Sequence, residues 1–326
     1  MRWSPEETAI LAQIRSRLGA KLAARPQFPE VVGDRKLLRF VRGHNHDVDK
    51  ACEMINASLD WRTKEHVDDI RKDIIENNLD QPSKFPFGEL ILKLIPQVVI
   101  HPEITDVHGN PLSVESLVPA SIWAHISVEN YLKFRIYCLE YCSIILEQVS
   151  EKMEKKALAV MGKDSDKPYG CIAQLAIIRC MRGMALSSFT NENKEIGSKV
   201  ITLSSDNYPE VMAKCYIVNA PWIFGPVYAF AKLFMAPKTI AKISLLGHDF
   251  LGKLSSDLPK SHVPDFLGGD LSEYNQPTPY DLTEGGPLWC DDTKKSDVAA
   301  AGEVPTTVFT SVTSAAASTD DGNKTT

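Results

Sequence analysis

A chain of 326 residues, 44% hydrophobic and 24% charged, is long and apolar enough for one large domain or two small ones. Its formal net charge of −6 argues against nucleic acid, which is bound through clustered cations, and against purely electrostatic attachment to anionic membranes. Any membrane contact is expected to be transient and hydrophobic. The seven cysteines are scattered, with no C-x-x-C pair, and several sit in apolar runs where a reduced thiol behaves as a small hydrophobe. Cys138 and Cys142 share a helix face, but nothing nearby completes a zinc set. A reducing, cytoplasmic setting without metal or cofactor is expected. Glu6, Glu7, Arg15 and Arg17 interrupt the first apolar runs, so these do not read as a signal peptide.

Ser4-Pro5-Glu6-Glu7 is a capping box that opens a helix to about Ala24. Pro26 and Pro29 form a linker. Asp34 is expected to cap a short helix with Leu37, Leu38 and Val41 facing inward. On that helix Arg35, Arg39 and Arg42 form a basic stripe, read as a solvated face that could also approach a phosphate. Asp47 caps the next helix, where Ala51, Ile55, Leu59 and Arg62 recur with helical period. A helical bundle over residues 1–78 follows from these elements.

From Phe85 the pattern changes. Leu90–Ile100 and Pro111–Leu117 carry β-rich runs, with His108-Gly109-Asn110 as a turn. Ser127 caps a long helix to about Lys155, with Tyr131, Phe134, Tyr137, Tyr141, Ile144 and Ile145 on its apolar side. Gly162-Lys163 is no phosphate-binding loop, because Ala157 stands where that motif needs glycine. Cys171–Met181 reads as an apolar strand, Asn191–Ser205 as a helix, and Asp249–Asp257 as one more helix. Helices alternating with apolar strands predict a layered α/β domain over 79–275. The polar, Ser/Thr-rich remainder, 276–326, is expected to be a mostly disordered tail.

The most informative stretch runs from Asn207 to Gly247. Lys214–Ala220 reads as a buried strand, Pro226–Met235 as a helix and Ile243–Leu246 as a second strand. The helix is apolar all round, with Lys232 as its only charge, so it is either buried or faces something greasy. Three readings are open: a membrane span, which needs about 20 apolar residues; an ordinary core helix; or a mobile, membrane-facing helix over a lipid-sized cavity.

No catalytic constellation stands out. G-x-S-x-G, H-E-x-x-H and G-x-G-x-x-G are absent, and His44 and His46 read as polar loop residues.

The runs YPEVMAKCYIVNAPWIF and MAPKTIAKISLLG closely resemble the CRAL-TRIO lipid-transfer family, which includes the phosphatidylinositol/phosphatidylcholine transfer proteins. DRKLLRFVRGHNHDVDKACEMINASLDWR upstream and LPKSHVPDFLGGDL downstream resemble that family's N-terminal motif and closing segment, in family order. The resemblance spans Asp34 to Leu271. It implies a helical bundle followed by a mixed sheet with flanking helices, and a gate helix hinged near Gly225 and Pro237 over an apolar cavity. Trp222, Phe224, Val227, Tyr228, Phe230, Phe234, Leu175 and Ile177 would form gate and acyl cavity. Glu210, Thr239 and Lys242, with Arg42 and His44 nearby, would meet the headgroup. Two departures stand out. His44-Asn45 replaces the basic pair common in phosphatidylinositol binders, and Leu175 and Ile177 replace the hydroxyls associated with phosphatidylcholine. The implied function is non-enzymatic: a cytoplasmic lipid carrier, peripheral at membranes, with phosphatidylinositol favoured. A lipid-sensing regulatory scaffold and a carrier of a different hydrophobic ligand are the alternatives.

Overall fold

The computed structural model describes residues 2–94, 97–116, 118, 120–161, 167–182, 184 and 190–272. The Ser4 side chain accepts a hydrogen bond from the Glu7 amide, and α1 runs Pro5–Ala23. α2 (Pro29–Val32) leads into α3 (Asp34–Gly43). Asp34 does not cap α3, as its sequence position suggested; Gly33 occupies that position. The Asp34 carboxylate instead accepts from Trp3 Nε1 at 3.4 Å and from Arg15 at 2.6 Å, tying α3 to α1. Asp47 does cap α4 (Val48–Lys64), accepting from the Lys50 amide. Ile14, Leu38, Val41, Ile55 and their neighbours bury one apolar core between these helices.

The next helix, α5 (Val67–Glu76), lies inside the stretch that the sequence assigns to this bundle. Val67, Ile70 and Ile74 nevertheless pack into the core of the following unit, against the long helix α7 (Val128–Met161). The apolar cores therefore divide between α4 and α5. The expected strand from Leu90 is instead helix α6 (Gly88–Leu94), and β1 starts at Gln97 and runs to Thr105. A short apolar run fits either element, and periodicity alone does not separate them.

A tight turn joins β1 to β2 (Pro111–Ser116): Asp106 accepts from the His108 and Asn110 amides, and Gly109 takes a φ of 83°. β3 (Leu175–Cys180), β4 (Met212–Val218) and β5 (Ile243–Leu245) complete a five-stranded sheet in the order β1-β2-β3-β4-β5. β1 and β2 are antiparallel, whereas β2 to β5 are parallel. Parallel neighbours need crossovers. These are supplied by α7, by α8 (Asn191–Asn207), and by α9 (Phe224–Ala231) with α10 (Pro237–Ala241). Along β3 the side chains alternate. Leu175 and Ile177 join the core beneath α5, α7 and α8, and Ala176, Ile178 and Cys180 join the opposite core. That second face is covered by Phe250, Leu254, Leu258, Val263 and Leu267. α11 (Leu251–Leu254) is all that forms of the helix expected over Asp249–Asp257.

Of the basic stripe on α3, Arg35 and Arg39 are buried with Lys36, and only Arg42 keeps a partly accessible side chain. Arg35, Lys36 and Arg39 are 2%, 7% and 7% exposed. Arg35 pairs with Glu147 and Glu154 and donates to the Cys171 carbonyl. Arg39 donates to the carbonyls of Glu210 and Ala173, each at 2.6 Å, and Lys36 to that of Asn207 at 2.7 Å. These carbonyls lie just before β3 and β4, outside the ladder, so cations from α3 satisfy acceptors that the sheet leaves over. A second seam joins α4 to α7. Arg62 donates two 2.8 Å bonds to Glu140, and Tyr208 donates to the same carboxylate at 2.6 Å.

Candidate functional site: an apolar cavity beneath helix α9

β4 ends at Val218, and Pro221 interrupts the chain before α9. α9 starts at Phe224, two residues earlier than the sequence suggests. Phe224 is buried and stacks on Tyr228 with ring centroids 6.1 Å apart, which anchors the first turn. Gly225 and Pro226 thus fall inside that turn, where proline forfeits no helical hydrogen bond. The helix closes at Ala231 into a 3-10 turn over Lys232–Phe234, and Pro237 opens α10. No described helix is long and apolar enough to cross a membrane. The stretch from Cys215 to Ala236 is strand, turn and short helix, which excludes the reading of that stretch as a membrane span.

Between α7, α8, α9 and the sheet lies a cavity of about 240 Å³. Val227, Phe230 and Phe234 close it from the α9 side, and Ile196 and Val200 from α8. Phe230 and Phe234 meet edge to face at 5.2 Å. The volume is below the roughly 300–1,000 Å³ of pockets for drug-sized ligands, so a two-chain lipid fits only if α9 moves outward. Leu175 and Ile177 lie in the core on the same side of the sheet but outside the cavity wall, as do Phe224 and Tyr228. Trp222 is 89% exposed and Leu233 is 76% exposed, both on the outer side of this segment.

One end of the cavity is charged. Glu115 on β2 lies 3.4 Å from Arg135 of α7 and 3.1 Å from Arg179 of β3. Burial alone would push the Glu115 carboxyl up, but the two guanidinium groups hold it below its ordinary value. Sequence reasoning missed this group. Its one visible signal was an arginine interrupting the apolar run LAIIRC.

The predicted headgroup residues gather elsewhere, at the start of β4. Glu210 occupies a left-handed turn with φ 54° just before β4. The β4–β5 crossover brings Lys242 Nζ to 2.9 Å from Glu210 Oε2 and 2.9 Å from the Met212 carbonyl. Lys238 reaches Glu210 Oε1 at 3.3 Å and the Arg42 carbonyl at 2.7 Å. Partial burial works to raise the Glu210 carboxyl, yet Lys242 and Lys238 hold it below the usual range. Thr239 is half-buried on the same turn as Lys242. The Arg42 side chain turns away to Glu7 at 2.8 Å, so only its backbone joins the cluster. His44 follows as the C-cap of α3. Gly43 at the end of α3 lies beside this turn, where a Cβ would come within contact distance, 3.4 Å, of Pro209. Lys238 was missed, although its i, i+4 spacing to Lys242 was there to read.

Among the described residues no group of three or more His, Cys, Asp or Glu side chains could hold a metal ion. Burial pushes the Cys138 and Cys215 thiols up to about 12 and about 11, which leaves them protonated and unreactive.

Comparison with known proteins returns one domain family, CRAL/TRIO, over residues 100–269. The Sec14 cytosolic factor of Schizosaccharomyces pombe is 27% identical over 260 residues, covering 80% of this chain and 82% of that protein. The phosphatidylinositol/phosphatidylcholine transfer protein SFH7 of Arabidopsis thaliana is 28% identical over 72% of this chain, but only 38% of its own length is matched. Among solved structures, Sfh5 superposes with a TM-score of 0.53 at 15% identity, covering 79% of this chain and 85% of that one, which speaks for the fold alone.

Proposed function

The chain belongs to the CRAL/TRIO domain family, and from that premise we propose that it carries a lipid between membranes, with phosphatidylinositol the favoured cargo. The observation that carries this reading is the apolar cavity closed by Phe230 and Phe234, with Trp222 and Leu233 exposed on the outer side of the same segment. Each methylene moved from hydrocarbon into water costs about 0.8 kcal/mol, so a two-chain lipid hardly diffuses freely. An apolar cavity replaces the bilayer interior almost evenly and makes loading reversible. The protruding indole and leucine flank α9 and give this segment a membrane-facing side, at which it would open. Contact with the membrane is then peripheral and transient, and the protein otherwise resides in the cytoplasm.

Phosphatidylinositol is favoured by the cluster at the start of β4, where two lysines face one carboxylate. Lys242 offers a compact cation and Thr239 a hydroxyl to a phosphate, while Glu210 orients the lysine. Support also comes from the relatives, several of which are phosphatidylinositol/phosphatidylcholine transfer proteins. No chemical step is assigned: the buried thiols are protonated, and the reading is that of a carrier. The test is transfer of labelled phosphatidylinositol and phosphatidylcholine between vesicles. Protein-dependent transfer, faster for phosphatidylinositol, is expected; no transfer of either lipid would overturn the reading.

A further inference from the structure

Arg179 is an unusual residue for the middle of a parallel sheet. Its side chain is 36% accessible and lines the cavity. Arg135 is 8% exposed, lines the same cavity and leaves its Nε without a hydrogen-bond partner. The Arg179 Nε is taken up by Glu115 Oε2 at 3.1 Å. Glu115 is the acid that both arginines face, so two guanidinium groups and one carboxylate leave one positive charge facing an apolar space. A buried charge without a counter-ion is costly, and its cost is relieved by a ligand that brings the missing one.

We infer that this end of the cavity is an anion site, and that it takes the carboxylate of a single-chain lipid, a long-chain fatty acid entering head first. The inference rests on the reading of the cavity as a lipid container and adds a cargo to it. A guanidinium presents paired donors that match a carboxylate, and one net positive charge matches one carboxylate. The volume favours the slimmer ligand, since α9 must move less for one chain than for two. The tail then lies toward Val227, Phe230 and Phe234. The site is separate from the cluster at Glu210. Arg179 is in register with Ile217, five residues along β4 from Met212, and Lys242 bonds to the Met212 carbonyl. At about 3.3 Å per residue the two sites are roughly 17 Å apart along the sheet.

The experiment offers the full-length protein neutral phosphatidylcholine vesicles loaded with labelled palmitate or with hexadecanol, which has the same chain length and no charge. Retention of palmitate at least tenfold above hexadecanol is expected. Arg179→Met should remove most of that preference and leave hexadecanol retention nearly unchanged. Glu115→Gln, which removes the competing carboxylate, should retain palmitate at least as well as the unmodified chain. A merely structural role for the three residues would lower retention of both lipids in both variants. Equal retention of acid and alcohol, or uptake of phosphatidic acid with exclusion of palmitate, would overturn the inference while leaving the container intact. Failure to take up any of these lipids or phosphatidylinositol would overturn the container reading and the inference together.

Discussion

Glu140→Leu should be among the most destabilising single changes in the chain. Glu140 is 1% exposed and accepts three short bonds, two from Arg62 at 2.8 Å and one from Tyr208 at 2.6 Å. Leucine is of similar volume, so the main effect is electrostatic. Arg62, 2% exposed, would lose its bidentate partner, and the buried Tyr208 hydroxyl its acceptor. Breaking a buried pair from one side costs about 3–5 kcal/mol. The lower end is expected here, because Arg62 keeps its 2.6 Å bond to Asp68. At about 2–4 °C per kcal/mol the melting temperature should fall by roughly 6–12 °C. Thermal unfolding followed by circular dichroism reads this directly. The double variant Arg62→Met with Glu140→Leu removes both charges and should recover most of the loss. A fall of less than 2 °C in the single variant, or a double variant no better than the single, would refute the reasoning.

Three further outcomes are expected. Phe230→Asp places an unpaired charge against the cavity, so lipid transfer should fall at least tenfold with the fold intact by circular dichroism; a folded variant with unchanged transfer would sink the gate assignment. Lys242→Ala should weaken phosphatidylinositol binding by on the order of 1–3 kcal/mol, read as reduced phosphatidylinositol transfer, while sparing transfer of a neutral lipid. Equal loss for both lipids would mean that the lysine serves only the fold. Burial pulls the Lys36 ammonium down to about 7, from an unfolded value near 10.5. The unfolded chain therefore binds the extra proton between those values, and this residue makes stability rise with pH by on the order of 1 kcal/mol per unit. Lys36→Met should remove that part of the slope between pH 7 and 9, and identical slopes in variant and parent would contradict the assignment.

Much of the fold was legible because its signals are local. The Ser4 and Asp47 caps, the strand-forming aromatic and β-branched run Tyr216-Ile217-Val218 and the turn at Gly109 each depend on residues within a few positions. The meeting of Glu210 with Lys242 was legible too, because a strand-helix-strand crossover returns the chain to the same edge of the sheet. What stayed hidden depends on distant partners. Arg35 and Arg39 look like a solvated stripe until the carbonyls of Cys171 and Ala173, more than a hundred residues away, arrive to accept from them. Arg135 and Arg179 sit on different elements and meet around Glu115 only after α7 crosses from β2 to β3. The α5 helix carries an apolar stripe that fits either core, and only the position of α7 decides between them. The tail expected over 276–326 lies outside the described residues.

The claim that this chain is a lipid carrier is tested most directly by mass spectrometry of the protein as isolated from cells. The account predicts lipid released in near-equal molar amount with the chain, and less of it from Phe230→Asp. Protein that emerges without lipid, and that takes none up from vesicles, would contradict it.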